Sequence, residues 1–202
     1  MKTVGIFPKI LIILYIVVFI LLGIDPYARD VWIAENTPIV LIVAAITLTT
    51  LFYYRFSNLA YMMMAVLIFL HTVGGHYTFE RVPFGFITDL FGFSRNHYDR
   101  MAHFSVGFYA LPIAEMLVAK RLINGKITAA LFGIFAIFTV AACYEIFEWR
   151  YAVNADPAAG IAVLGSQGDI WDAQKDMLAD GLGALFAAAV FFVRKHKTTD
   201  ES

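Results

Sequence analysis

Nine ionisable residues sit near the ends of four strongly apolar segments: His71 and His76, then Asp99 and His103, then Glu145 and Glu148, then Asp172, Asp176 and Asp180. Placing one such group in hydrocarbon costs about 3 kcal/mol on insertion scales, so intramembrane acids and histidines cluster where they are used or paired. Asp99 and His103 are at i and i+4, and Glu145 and Glu148 at i and i+3, so on a helix each pair shares a face. Asp169, Asp172, Asp176 and Asp180 follow at intervals of three, four and four, which draws one stripe along a helix. Asp180 then lies about 6 Å deeper than Asp176, at ~1.5 Å of rise per residue.

Carboxylates and imidazoles in this number suit proton transfer, nucleophilic attack or the binding of a divalent cation such as Mg, Mn, Ca or Zn. Close carboxylates cannot all ionise without positive charge nearby. The candidates are a divalent cation, a protonated His103 or His76, and Arg95, Arg100 or Arg150. His103 would act as general base or nucleophile, oriented by Asp99. Glu145, Asp176 and Asp180 would hold a metal or orient the histidine. Arg100, Arg150 and His76 would bind substrate, the arginines gripping phosphate with two parallel N–H bonds. No His-Glu-x-x-His run is present, so a metal follows from charge balance alone. Simpler roles compete. An aspartate opening a helix often only caps it, Asp169 can be a loop acid, Glu148 can pair with Arg150, and a histidine in a bundle often only satisfies a hydrogen bond. Glu115 is expected to snorkel toward Lys120 or Arg121, away from the site.

These residues must be positioned by membrane helices. The chain has 202 residues, is 60 % hydrophobic and only 15 % charged, and has a mean hydropathy of +0.73. A soluble domain is about half apolar and about a quarter charged. Six apolar segments are long enough to span ~30 Å of hydrocarbon: residues 6–24, 37–54, 59–77, 99–119, 127–149 and 176–193. The expected fold is all-α, one polytopic membrane domain formed by a bundle of six transmembrane helices. A barrel is excluded, because runs such as Ile10-Leu11-Ile12-Ile13-Leu14 lack period-two alternation. The first segment has no small-x-small cleavage site and reads as an uncleaved span. Asp25-Pro26, Asn124-Gly125 and Asp156-Pro157 mark breaks between spans. The lone Cys143 forms no intrachain disulfide and is expected to be a small core residue. Nothing in the charge pattern suggests nucleic acid; the expected partners are membrane lipids.

Six spans put both termini on one side. Lys2, Lys9, Arg55, Lys120, Arg121, Lys126, Arg194, Lys195 and Lys197 fall on that side, nine in all, against six on the other: Arg29, Arg81, Arg95, Arg100, Arg150 and Lys175. The positive-inside rule therefore predicts both termini in the cytoplasm. All four polar segment ends then face outward, under two longer loops at residues 78–98 and 150–175.

The runs Asn96-His97-Tyr98-Asp99-Arg100-Met101-Ala102-His103-Phe104, Glu145-Ile146-Phe147-Glu148-Trp149 and Gly168-Asp169-Ile170-Trp171-Asp172, continuing to Asp176, Asp180 and Gly183, resemble those of the YjdF-like bacterial inner-membrane proteins. That resemblance covers essentially the whole chain and implies a multi-pass protein of the bacterial inner membrane. More distantly, Asp99, His103 and Phe104, with Glu145 and then Asp176, Asp180 and Gly183, resemble the pattern of VanZ-like membrane proteins. This second resemblance implies action on lipid head groups or lipid-linked phosphates. The leading expectation is therefore a membrane enzyme, a lipid phosphoester hydrolase or head-group transferase. A cation- or proton-coupled transporter and a structural or accessory protein remain as alternatives. The clustering of charge at one end and the lack of an inverted repeat weigh against transport.

Overall fold

The computed structural model describes residues 4–154 and 166–194. Asp156-Pro157, and Lys2, Lys195 and Lys197 of the charge count, lie outside the described residues. The helices are α1 (Ile6–Gly23), α2 (Arg29–Phe52), α3 (Asn58–Tyr77), α4 (Gly85–Phe91), α5 (Tyr98–Val106), α6 (Ala110–Ala119), α7 (Lys126–Asn154) and α8 (Asp172–Val193), with no strand among the described residues. A 3₁₀ turn at Gly107–Tyr109 joins α5 to α6, so the two make one apolar span, Tyr98–Ala119. Six helical spans are then long and apolar enough to cross a membrane. Helices are what hydrocarbon demands, since each satisfies its own backbone polar groups.

The boundaries differ from the hydropathy reading where polar residues extend a helix. α2 starts two turns earlier than expected, at Arg29, and runs through Pro38. Arg29 closes the α1–α2 turn by donating to the Gly23 and Ile24 carbonyls at 2.5 and 2.9 Å. Its polar first turns also bury Asn36, whose amide donates to Trp32 O at 3.0 Å. α8 begins at Asp172 rather than 176, and α7 continues past Trp149 to Asn154. The short α4, in the loop between α3 and α5, has no counterpart among the expected spans.

The core is built from small side chains. Ala110, Ala114, Ala129, Ala130, Ala184 and Ala187 interlock with Leu111, Ile137 and Phe191, so α8 is clasped by α5–α6 and α7. Lipid tails are as apolar as leucine, so such helices associate by close van der Waals fit, which small residues permit. The tightest fit is backbone to backbone. A Cβ placed on Gly183 would lie 1.9 Å from the Phe104 carbonyl oxygen, and one on Gly107 would lie 2.2 Å from the Ala184 nitrogen. A Cβ on Gly133 would meet the Ala110 carbonyl oxygen at 2.6 Å, giving α6 and α7 a similar contact. α1 and α2 pack on α3 through Tyr15, Ile39 and Ile68 and leave most of their surface facing outward.

Two side chains sit differently from expectation. Cys143 is exposed on α7, facing outward rather than into the core. Glu115 does not snorkel to Lys120 or Arg121. It turns into the bundle, accepting from the Ser57 backbone N–H at 2.7 Å, Ser57 Oγ at 2.6 Å and Tyr54 Oη at 3.2 Å, and it pairs with Arg194. A part-buried carboxylate next to four donors is held more firmly than one reaching for a solvated lysine. This knot ties the α2–α3 turn to α6 and to the end of α8.

The glycine contact has a direct test. Gly183→Ala forces the backbones of α5 and α8 apart, at an expected cost of about 1–3 kcal/mol for overpacking. The detergent-solubilised variant should unfold at a lower temperature than wild type, whereas Gly85→Ala, where a Cβ meets nothing within 4 Å, should not. Equal midpoints for Gly183→Ala and wild type would contradict the close approach.

Candidate functional site

Because Gly107 and Gly183 let the backbones touch, the faces of α5 and α8 one turn further along meet at side-chain distance. His103 is four residues before Gly107, and Asp180 three before Gly183. His103 Nδ1 lies 3.3 Å from Asp180 Oδ1 and 3.4 Å from Oδ2. On the other edge of the ring, Nε2 lies 3.5 Å from Asp176 Oδ1 and 3.8 Å from Asp99 Oδ1. The imidazole is thus set between carboxylates on both nitrogens. Asp172 and Asp176 are 5 % exposed and Asp180 only 1 %.

Arginines hold the mouth of this arrangement. Arg100 donates through Nη1 to Asp176 and through Nη2 to Asp172, and its Nη1 also reaches Asp99 Oδ2 at 3.3 Å. Arg95 Nη1 donates to Asp169 Oδ2 at 3.0 Å and to Asp172 Oδ1 at 3.3 Å. Lys175 Nζ completes the set, 2.7 Å from Asp169 Oδ2. Asp169 lies outside the membrane spans. Its hydrogen bond from Lys175, with help from the Trp171 N–H and the charges of Lys175 and Arg95, holds its carboxyl below the ordinary value. The clasp is therefore present at neutral pH and lost as pH falls through that lowered value.

Asn96 fixes the loop that carries Arg95. Its side-chain amide donates to the Glu80 and Val82 carbonyls at 3.0 and 2.9 Å, and its Oδ1 accepts from the Tyr98 N–H at 2.9 Å. The Asn96 backbone exchanges two hydrogen bonds with the Gln167 side chain, at 3.0 and 2.9 Å, with Gln167 itself in the left-handed region at φ 55°. Neither Asn96 nor Gln167 stands out in the sequence as a site residue. An Asn followed two residues later by a helix start is a turn signal, but its long-range partner is not visible in one dimension.

Glu145 and Glu148 form the facing wall on α7. Both are partly buried. Glu145 is within Coulombic range of Asp176, His103, Asp180 and Asp172, and Glu148 of Glu145, His103, Asp176 and Asp99. Arg150, expected to bind phosphate or pair with Glu148, makes no ion pair with Glu148 among the described residues. It is exposed and lies 5.9 Å over the Trp149 ring. His76 is also not brought to the cluster. Its Nδ1 lies 2.6 Å from Leu22 O, and its ring meets Trp32 and Tyr77 edge-on, so it fastens α3 to the α1–α2 turn. His71 faces α2 as well, 3.1 Å from Glu35. The physical reason is helix phase: α3 turns His76 to α1 and α2, and His71 to Glu35 of α2.

The donor set can accept a cation. Asp99, His103 and Asp176 each offer one ligand atom, and these atoms lie within 4.8 Å of one another. Asp180 is not in that group. It sits behind His103 on the opposite ring nitrogen, where metal-binding histidines commonly find a carboxylate that fixes their tautomer. Beside the cluster, a cavity of about 280 Å³ lies between α3 and α5, walled by Val66, Leu70, Phe104 and Phe108 and ending at Arg100 and His97.

Six spanning helices with one polar cluster at the end opposite Ile6 and Val193 define a multi-pass integral membrane protein. The chain belongs to the family described as "Predicted membrane protein (DUF2238)", whose pattern matches residues 7–197. It is 36 % identical over 185 residues to the inner membrane protein YjdF of Escherichia coli (strain K12), a match covering 89 % of this chain and 85 % of that protein. No solved structure matches the chain.

The ion-pair cluster predicts a specific pattern of stability. Arg100→Ala takes the arginine from the buried Asp176 and loosens the hold on Asp172, which keeps Arg95, a change expected to cost about 3 kcal/mol. Adding Asp172→Asn and Asp176→Asn should recover most of that loss in thermal unfolding. Arg150→Ala, outside the cluster, should leave the midpoint within about 0.5 kcal/mol of wild type. If Arg150→Ala were the more damaging change, the arrangement described would be wrong.

Proposed function

We propose that this protein is an inner-membrane enzyme that works on the phosphate of a lipid head group or a lipid-linked phosphate. Both termini lie in the cytoplasm in this reading, and the polar cluster faces the opposite surface, as the distribution of lysine and arginine favours. The observation that carries it is His103: one imidazole held between Asp180 on Nδ1 and Asp99 and Asp176 on Nε2.

A neutral imidazole has one N–H and one lone pair. With the N–H on Nδ1 directed to Asp180, the Nε2 lone pair faces Asp99 and Asp176, which is the disposition a divalent cation needs. Asp99, His103 and Asp176 would hold that cation, whose charge would neutralise phosphate oxygens. This reassigns Asp180 from ligand to orienting residue and Asp99 from orienting residue to ligand. Arg100 holds Asp172 and Asp176 in place and presents its remaining N–H groups at the mouth. Glu145 faces the cluster without an ion-pair partner among the described residues, which suits a general base. In the hydrolytic form a water oxygen attacks phosphorus, the water proton passes to Glu145, the P–O bond to the leaving group breaks, and the leaving oxygen takes a proton from solvent. A transferase would use an alcohol in place of water.

A purely structural network accounts for Arg95, Arg100, Asp169 and Asp172, which neutralise one another. It leaves Glu145 and Glu148 unexplained, because each adds negative charge to an already acidic chamber and neither is paired with an arginine or lysine among the described residues.

Titration calorimetry with Mn²⁺ on the purified protein tests the reading. Wild type should bind one ion, Asp176→Asn should lose it, and Asp180→Asn should weaken it about 10–100-fold, as expected for the residue behind a ligating histidine. Glu145→Gln should keep the ion yet lose phosphate release from lipid phosphates in proteoliposomes. Unchanged Mn²⁺ affinity in Asp176→Asn would remove the basis for the proposal.

A further inference from the structure

The cavity between α3 and α5 has two unlike ends. Its walls are aliphatic and aromatic: Val66 and Leu70 on one side, Phe104 and Phe108 on the other. Its volume, about 280 Å³, falls at the lower edge of the ~300–1,000 Å³ usual for small-molecule pockets, which suits one chain rather than a bulky ligand. At the other end stand His97 and Arg100, with Phe93 edge-on to His97 at 4.6 Å. Phe93 and Met101, at the lip, are both exposed.

Cationic side chains gather at that end. Arg95, Arg100 and Lys175 act on His97 against Asp169, while on the side facing α8 the same cations pair with Asp99, Asp169, Asp172 and Asp176. Next to the lip, α4 exposes Phe86, Leu90 and Phe91, with Phe91 stacked on Phe93 at 5.5 Å. Exposed aromatics beside a charged rim are what a membrane surface stabilises, apolar body in the lipid and polar neighbours in the head-group layer.

We infer that the groove between α3 and α5 is the lipid-chain site of this protein: one hydrocarbon chain of a phosphate-bearing lipid lies along Val66, Leu70, Phe104 and Phe108, with its phosphate at His97 and the N–H groups of Arg100 that face the groove. The inference rests on the proposed lipid-phosphate reading and names the path by which such a substrate enters: sideways from the bilayer, between α3 and α5. The phosphate then arrives on the face of Arg100 adjoining Asp176 and His103. A second apolar cavity, about 250 Å³ between α1, α2 and α3, has Lys9 as the one charged residue among its described lining and provides an internal control.

The test is photolabelling of the full-length protein in nanodiscs with phosphatidic acid carrying a diazirine on one acyl chain. Labelled peptides should contain Leu70, Phe104 or Phe108. Unlabelled phosphatidic acid should compete; phosphatidylcholine, whose cationic head opposes the rim, and inorganic phosphate, which has no chain, should not. Leu70→Trp, which fills the groove, should cut that labelling at least about tenfold while Mn²⁺ binding stays as in wild type. Equal labelling at Ile12 or Val43 of the second cavity, or equal competition by phosphatidylcholine, overturns the inference. Competition by inorganic phosphate overturns the chain's role and leaves a free-phosphate site. Groove labelling with no phosphate release and no Mn²⁺ binding would sink the enzyme and keep the lipid site. Phosphate release without groove labelling would do the reverse.

Discussion

The backbone contact of Gly107 and Gly183 sets the rest of the structure. A single methyl at Gly183 would sit 1.9 Å from a carbonyl oxygen, so the two helices are as near as peptide chains can come. That proximity gives α5 and α8 a shared seam, and one turn along it His103 meets Asp180. Farther toward the same end the helices carry longer, charged side chains, and Arg100 spans to Asp172 and Asp176. The small-to-large gradient along α8, from Ala187 and Ala184 through Gly183 to Asp180 and Asp176, is what turns a tight apolar bundle into a polar chamber at one end. Without a hydrophobic drive between helices in lipid, close fit and interhelical polar pairing must supply the association.

The chamber is electrostatically unbalanced. Arg95, Arg100 and Lys175 answer Asp169, Asp172 and much of Asp176. Arg100 also reaches one oxygen of Asp99, so Asp180, Glu145, Glu148 and the other oxygen of Asp99 remain around one imidazole. Burying this much like charge is unfavourable unless something positive joins it or protons do. A cation between Asp99, His103 and Asp176 resolves the imbalance most simply. In the proposed reading it would also leave Asp180 to orient the ring and Glu145 to face a phosphate. The opposite end of the bundle is built on another principle. There Glu115 is fully answered by Ser57, Tyr54 and Arg194, and the knot holds helices together.

Much of this is legible in the sequence. The six spans follow from hydropathy, because hydrocarbon leaves a chain few choices. The Asp stripe of α8 and the Asp99–His103 pair follow from helical periodicity, and the structure brings them together. The histidines of α3 do not yield to the same reasoning. His71 and His76 lie near the same end of the bundle as the cluster, but depth is only one coordinate. Their rotation about the α3 axis turns them to Glu35 and to Leu22 O, and no short pattern in an almost wholly apolar helix reveals that rotation. Arg150 stands apart for a related reason: it neighbours Glu148 in sequence but is exposed, over the Trp149 ring. Cys143 looks like core because its neighbours are apolar, yet on a membrane helix apolar neighbours describe the lipid side equally well. Arg95, Asn96 and Gln167 act across loops, and their partners are set by tertiary geometry alone.

The most direct measurement is electron–nuclear double resonance on Mn²⁺ bound to the purified protein. With α5 offering Asp99 and His103, and α8 offering Asp176, to one point, a single bound ion should show coupling to one histidine nitrogen. That coupling should be abolished in His103→Gln while the variant stays folded. A spectrum of the fully hydrated ion, with no nitrogen coupling in the wild-type protein, would contradict the account.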